Sequence, residues 1–117
     1  MKRVYFFGLC LILFLTLAGC EDVFNGPRRD VTVSELNGLR DEALVRLTGT
    51  IQSGFGEMYQ FSDRTGTIPV EIDYEVWMRS GINPASLSFP LQVEIEGEVD
   101  KEGGSVAYID VSRVRIL

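Results

Sequence analysis

Carboxylates are the most abundant chemistry-bearing groups in this 117-residue chain, with 17 Asp and Glu against 11 Lys and Arg and no histidine. Asp63, Glu71, Asp73 and Asp100 are the candidates for holding a hard divalent cation, because carboxylate oxygens suit ions of the Ca²⁺ type. They lack the regular spacing of a calcium loop, and a solvated acidic face is the competing reading. Glu94, Glu96 and Glu98 form an alternating strip that either draws a cationic peptide or keeps a sheet edge soluble. Without histidine there is no imidazole base, no imidazole metal ligand and no Ser–His or Cys–His nucleophile. Two cysteines, Cys10 and Cys20, cannot build a thiolate zinc site. Paired carboxylates in a cleft are the remaining catalytic option. A small barrel offers little cleft, so the chain reads as non-enzymatic, with no cofactor.

The N-terminus reads as an address. Lys2 and Arg3 precede an uncharged run from Val4 to Leu17, the pattern of a secretory signal. At about 1.5 Å per residue this run falls short of a roughly 30 Å hydrocarbon core. It closes on Leu17-Ala18-Gly19-Cys20, which resembles the lipobox of bacterial lipoproteins. That resemblance implies cleavage after Gly19, lipidation of Cys20, and a periplasm-facing protein held to the cell envelope by its acyl chains, with Glu21 leaning toward the outer membrane. The division is then signal peptide 1–19, lipidated cysteine and flexible tether 20–30, and one domain 31–117. Loss of Lys2 and Arg3 makes the exported part more acidic than the −6 of the whole chain. Such a body is repelled by nucleic acid and anionic surfaces.

Within the domain, Thr32 and Glu35 have capping-box spacing and predict a short helix over Val33–Leu39. From Ala43 the period becomes two: Val45, Leu47 and Ile51 share a face, and Gly49 marks a bend or close backbone approach. Gly54 and Gly56 turn the chain into a second strand, Met58–Ser62. Asp63–Gly66 is a tight turn with Gly66 at a positive φ, leading into a third strand, Thr67–Asp73. Pro69 belongs at an edge or bulge. A helix over Tyr74–Arg79 precedes strand four, Leu91–Asp100, and strand five, Val106–Ile116. The apolar parity of strand five changes near Ser112-Arg113 and predicts a bulge. Strand–strand–strand–helix–strand–strand is the order of an all-β, five-stranded OB-fold barrel with a short N-terminal helix and a helix between strands three and four. An SH3-like barrel is the alternative.

The stretches Val45–Ile51, Tyr59–Asp73, Trp77, Val93–Lys101 and Ile109–Val111 together resemble the bacterial OB-fold (BOF) family, the exported stress-tolerance proteins of the YgiW/YdeI type. The resemblance covers 31–116 and implies a periplasmic barrel concerned with oxidative, acid, metal or cationic-peptide stress. Cys20 departs from the soluble members, and Pro69 interrupts an expected ladder position. OB barrels bind on the face of their second and third strands and the adjoining loops, here those around Gly54–Glu57 and Lys101–Ser105, which nominates Met58, Gln60, Ser62, Arg64 and Glu71 for a small ligand or an envelope protein partner. Tyr59, Phe61 and Trp77 read as core rather than as a stacking platform, and nucleic acid is set aside. A divalent-cation sequestrant using Asp63, Glu71, Asp73 and Asp100 is the alternative function.

Overall fold

The structure, a computed structural model, describes residues 28–117, so the leader, Cys10, Cys20 and most of the tether lie outside the described residues. Six strands, β1 (Arg29–Asp30), β2 (Leu44–Phe55), β3 (Met58–Asp63), β4 (Gly66–Glu71), β5 (Leu91–Glu102) and β6 (Ser105–Ile116), are joined by one α-helix, α1 (Tyr74–Arg79). They pair in the order β1-β2-β3-β4-β6-β5, and a further β2–β5 pairing closes the last five into a barrel. This is the expected OB topology, closed and therefore almost without free edges.

Closure depends on β2, which pairs with β5 from Leu44 to Ile51 and with β3 from Thr50 to Phe55. Gln52 is the extra residue of a bulge between the Ile51 and Ser53 registers and turns the strand from one partner to the other. Gly49 sits at this corner because a Cβ there would collide with the Ser62 carbonyl and lie 2.7 Å from Phe61 Cζ. The core is built from the alternating faces of all five barrel strands. Val45, Phe61, Val70, Val93, Ile95 and Ile109 are fully buried, and Trp77 from α1 and Leu36 close the barrel's ends. Each such side chain is worth about 1.5–3 kcal/mol of burial.

Several expectations need correction. Arg29–Asp30, read as tether, forms β1 and pairs in parallel with Val45 and Arg46. The short helix expected after Thr32 is present, wound as a 3₁₀ helix over Val33–Gly38. Its first turn is tied across the fold: Val33 N–H donates to Asp63 Oδ2 at 2.9 Å and Ser34 N–H to Thr65 Oγ1 at 3.0 Å. Glu35 does reach back, accepting from Thr32 N–H at 2.8 Å. Gly66 opens β4 without a positive φ, because Asp63 braces the two-residue turn by accepting from both Thr65 N–H and Thr65 Oγ1. The third strand stops at Glu71, and Asp73 instead caps α1, accepting from Val76 N–H at 3.0 Å. Pro69 lies opposite Gln60 where β4 has a single ladder partner, since β6 joins only at Val70 and Glu71. The bulge expected in the last strand is present: Glu96 pairs with Arg113 and Gly97 with Val111, leaving Ser112 as the extra residue.

Candidate functional site

The hairpin between β2 and β3 turns on Gly56-Glu57, with Gly56 at φ +63°, and its last pair is Phe55 and Met58. Phe55 is 90% exposed and Met58 39%. Behind them lies a recess of about 300 Å³ lined by Ser53, Gly54, Tyr59, Gln60 and Pro69 as well as the two tip residues. Gly54 lets the Tyr59 ring lie against the β2 backbone, because any Cβ there would strike that ring. Tyr59 is held edge-on to Trp77, ring centres 5.7 Å apart, and its hydroxyl accepts from Trp77 Nε1 at 3.2 Å. Phe89 packs 6.0 Å from its other side. With Tyr59 8% exposed and Phe61 and Trp77 buried, the aromatic trio is structural, as its parity implied.

Of the residues nominated for binding, Met58 and Gln60 line this recess and Glu71 stands directly across from Met58. Ser62 lies farther along β3 and accepts from Gln52 Nε2 at 3.0 Å, and Arg64 lies beyond it in the turn at the other end of the strand. The five therefore do not form one group. Phe55 falls in the nominated Gly54–Glu57 loop, though not among the five named contact residues, and Ser53 and Pro69 were not nominated as contacts.

The four carboxylates nominated for a cation also separate. Asp63 sits at the far end of β3, fully engaged by the turn and the 3₁₀ helix. Its partial burial favours the neutral acid, but hydrogen bonds from Thr65, Val33 and Gly66 outweigh this and hold the carboxyl below the usual range. Glu71 does share a field with Asp73 and Asp100, joined by Asp110 and Glu57. Burial first, then these four negative neighbours, raise its pKa. Tyr108 stands opposite Asp100, and its hydrogen bond to that carboxylate, followed by the charge itself, pushes the phenol up to about 12. Among the described residues no three carboxylates converge as a metal site would require. The glutamate strip is divided as well: Glu96 pairs with Arg46 at 3.2 Å and Glu94 with Arg115 at 3.1 Å, while Glu98 is exposed opposite Asp110.

Residues 17–116 match the model of the bacterial OB fold (BOF) protein family. The chain belongs to that family. Protein YgiW of Escherichia coli strain K12 is 40% identical over 85 residues, which are 72% of this chain and 61% of that protein, so the match spans less than two thirds of the relative's length. The solved structure of the hypothetical protein ygiW from E. coli covers 79% of this chain and 91% of its own, with a TM-score of 0.59 at 36% identity. The telomere capping protein Ten1 of Schizosaccharomyces pombe aligns at TM-score 0.58 and 15% identity over 77% of this chain and 81% of Ten1, and shares the fold alone. As a BOF protein the chain carries the OB barrel of that family.

Proposed function

We propose that this protein is a non-enzymatic binding protein of the bacterial cell envelope, anchored by a lipid on Cys20, whose partner face is the β2–β3 tip. Phe55 carries the reading: a phenylalanine 90% exposed, beside exposed Met58 and above a recess, is apolar surface of the kind that a partner covers. The neighbouring charge defines the partner's chemistry. Glu71 lies across from Met58, and its field is shared by Glu57, Asp73, Asp100 and Asp110. A cationic, amphipathic peptide satisfies both halves, placing apolar side chains on Phe55 and Met58 and ammonium or guanidinium groups on the carboxylates. Lys2-Arg3, the uncharged run and Leu17-Ala18-Gly19-Cys20 support the anchor, and the BOF resemblance supports a role in envelope stress tolerance. Sequestration of a divalent cation has less support, since Asp63 is committed elsewhere.

The test is an amide NMR titration of the full chain in neutral-detergent micelles with an amphipathic Lys–Leu peptide, then with Ca²⁺ and Cd²⁺. The expected result is a peptide response at Phe55, Met58, Gln60 and Glu71 that Phe55→Ala weakens about tenfold. A metal response at Glu71, Asp73 and Asp100 without a peptide response would replace this reading with cation sequestration. Cys20→Ser is expected to release the protein from membranes, and continued sedimentation with them would overturn the anchor.

A further inference from the structure

Beyond the Ser112 bulge, the outer face of β6 changes character. Arg113 and Arg115 border an open groove of about 780 Å³ that Arg28 and Arg79 complete, and Glu96 is the single carboxylate among its lining residues. Arg46 also reaches Glu96 from β2, so five of the chain's 11 Lys and Arg residues gather here in a protein of net charge −6. The groove shares no lining residue with the recess at the hairpin tip.

The spare positive charge sits on Arg79 and Arg113, since Arg46 also pairs with Asp30 at 3.0 Å and Arg115 with Glu94 at 3.1 Å. Glu96, with its side chain 14% exposed, lies 3.2 Å from Arg46 Nε, 3.6 Å from Arg28 Nε and 3.9 Å from Arg113 Nη1. One carboxylate thus serves three guanidinia. Arg79 Nη2 donates to the Ser112 carbonyl at 3.1 Å, and Arg115 gives both Nε and Nη2 to a single oxygen of Glu94. A guanidinium has five N–H donors, so Arg79 and Arg115 retain donors beyond these bonds. The side chains of Arg113 and Arg115 are 74% and 64% exposed. Ile82, Val114 and Ile116 supply apolar lining beside the charges.

We propose that this groove binds a phosphate ester, its oxygens taken by the forks of Arg113, Arg115 and Arg79 and its organic part resting on Ile82 and Ile116. Planar guanidinia match phosphate oxygens two at a time, which a lysine cluster would not. Glu96 orients Arg113 from 3.9 Å and Arg79 is oriented by a neutral carbonyl, so both keep charge for a ligand. The ester's source is either a lipid headgroup or a soluble phosphate ester, and the chemistry recognised is the same.

The test titrates the full chain in neutral-detergent micelles with glycerol 3-phosphate and with dihexanoylphosphatidic acid, against chloride at matched ionic strength, and follows the amides of Ser80, Ile82 and Ser112–Ile116. Saturable shifts with either phosphate and not with chloride are expected, and the double variant Arg113→Gln with Arg115→Gln should weaken them by about tenfold or more. Tighter binding of the short-chain lipid assigns a lipid headgroup; equal binding assigns a soluble ester. Equal response to chloride, or undiminished binding by the double variant, would overturn the site. Arg113→Lys keeps both the fold and the charge; it should lose affinity, and full retention would overturn recognition by the guanidinium fork.

Discussion

On the two sides of the Ser112 bulge, the β5–β6 ribbon is put to opposite electrostatic use. After the bulge the cross-strand pairs are complementary, Glu96 with Arg113 and Glu94 with Arg115. Before it they are not: Glu98 faces Asp110, Asp110 also faces Glu71 on β4, and Asp100 faces Tyr108. Directly opposed like charges destabilise a sheet. A sequence under pressure for stability alone would not keep them beside exposed Phe55 and Met58. The complementary half stabilises the ribbon and still carries spare guanidinium donors, whereas the like-charged half sets Asp110 against Glu98 on one side and Glu71 on the other.

The largest expected effect comes from shifting the strand just past the boundary. Insertion of one alanine between Arg113 and Val114 moves the register by one, turning buried Val114 outward and Arg115 inward, and should unfold the barrel, read as loss of the cooperative thermal transition. Next is Ile95→Ala: Ile95 is fully buried and sits between Leu47 and Val114 on the strand that both halves share. It should cost about 2–5 kcal/mol in urea unfolding, and a much smaller loss would deny β5 its central place. Glu96→Gln removes the carboxylate shared by Arg28, Arg46 and Arg113 and should cost about 1–3 kcal/mol, more at low salt than at high.

Glu71→Gln is the smallest and the opposite in sign. The folded-state pKa of Glu71 is raised, so protonation favours the folded state and the group's penalty is complete only above that raised value. The variant should therefore be more stable than the parent at neutral pH, by at most about 1 kcal/mol, with the gain vanishing as pH falls below the ordinary glutamate range. Asp63, whose folded pKa is lowered, behaves inversely. Its stabilisation is present above the ordinary carboxylate value and is lost as pH falls through the lowered one.

The barrel was legible because strand alternation is local. Val45, Leu47 and Ile51, Val93, Ile95 and Val99, and the parity change at Ser112 each carry their own evidence of face and bulge. Gly49 was legible for the same reason. The helix after Thr32 was legible from its capping box but its 3₁₀ winding was not, since the Asp63 and Thr65 side chains that accept from its first turn lie about thirty residues away. The candidate sites were less legible still. The cation reading grouped Asp63 with Glu71 by residue type, but a β-hairpin puts them at opposite ends. Net charge concealed the arginine groove, whose members come from residues 28, 79, 113 and 115 and meet only in the closed barrel.

A single amide NMR sample of the full chain, titrated with the Lys–Leu peptide and in parallel with glycerol 3-phosphate, tests the division most directly. The account predicts that the peptide moves Met58, Glu71, Tyr108 and Asp110 while phosphate moves Ser112, Arg113 and Arg115, with the crossover at Ser112. One common set of shifted amides for both probes, or peptide shifts centred on Arg113 and Arg115, would contradict it.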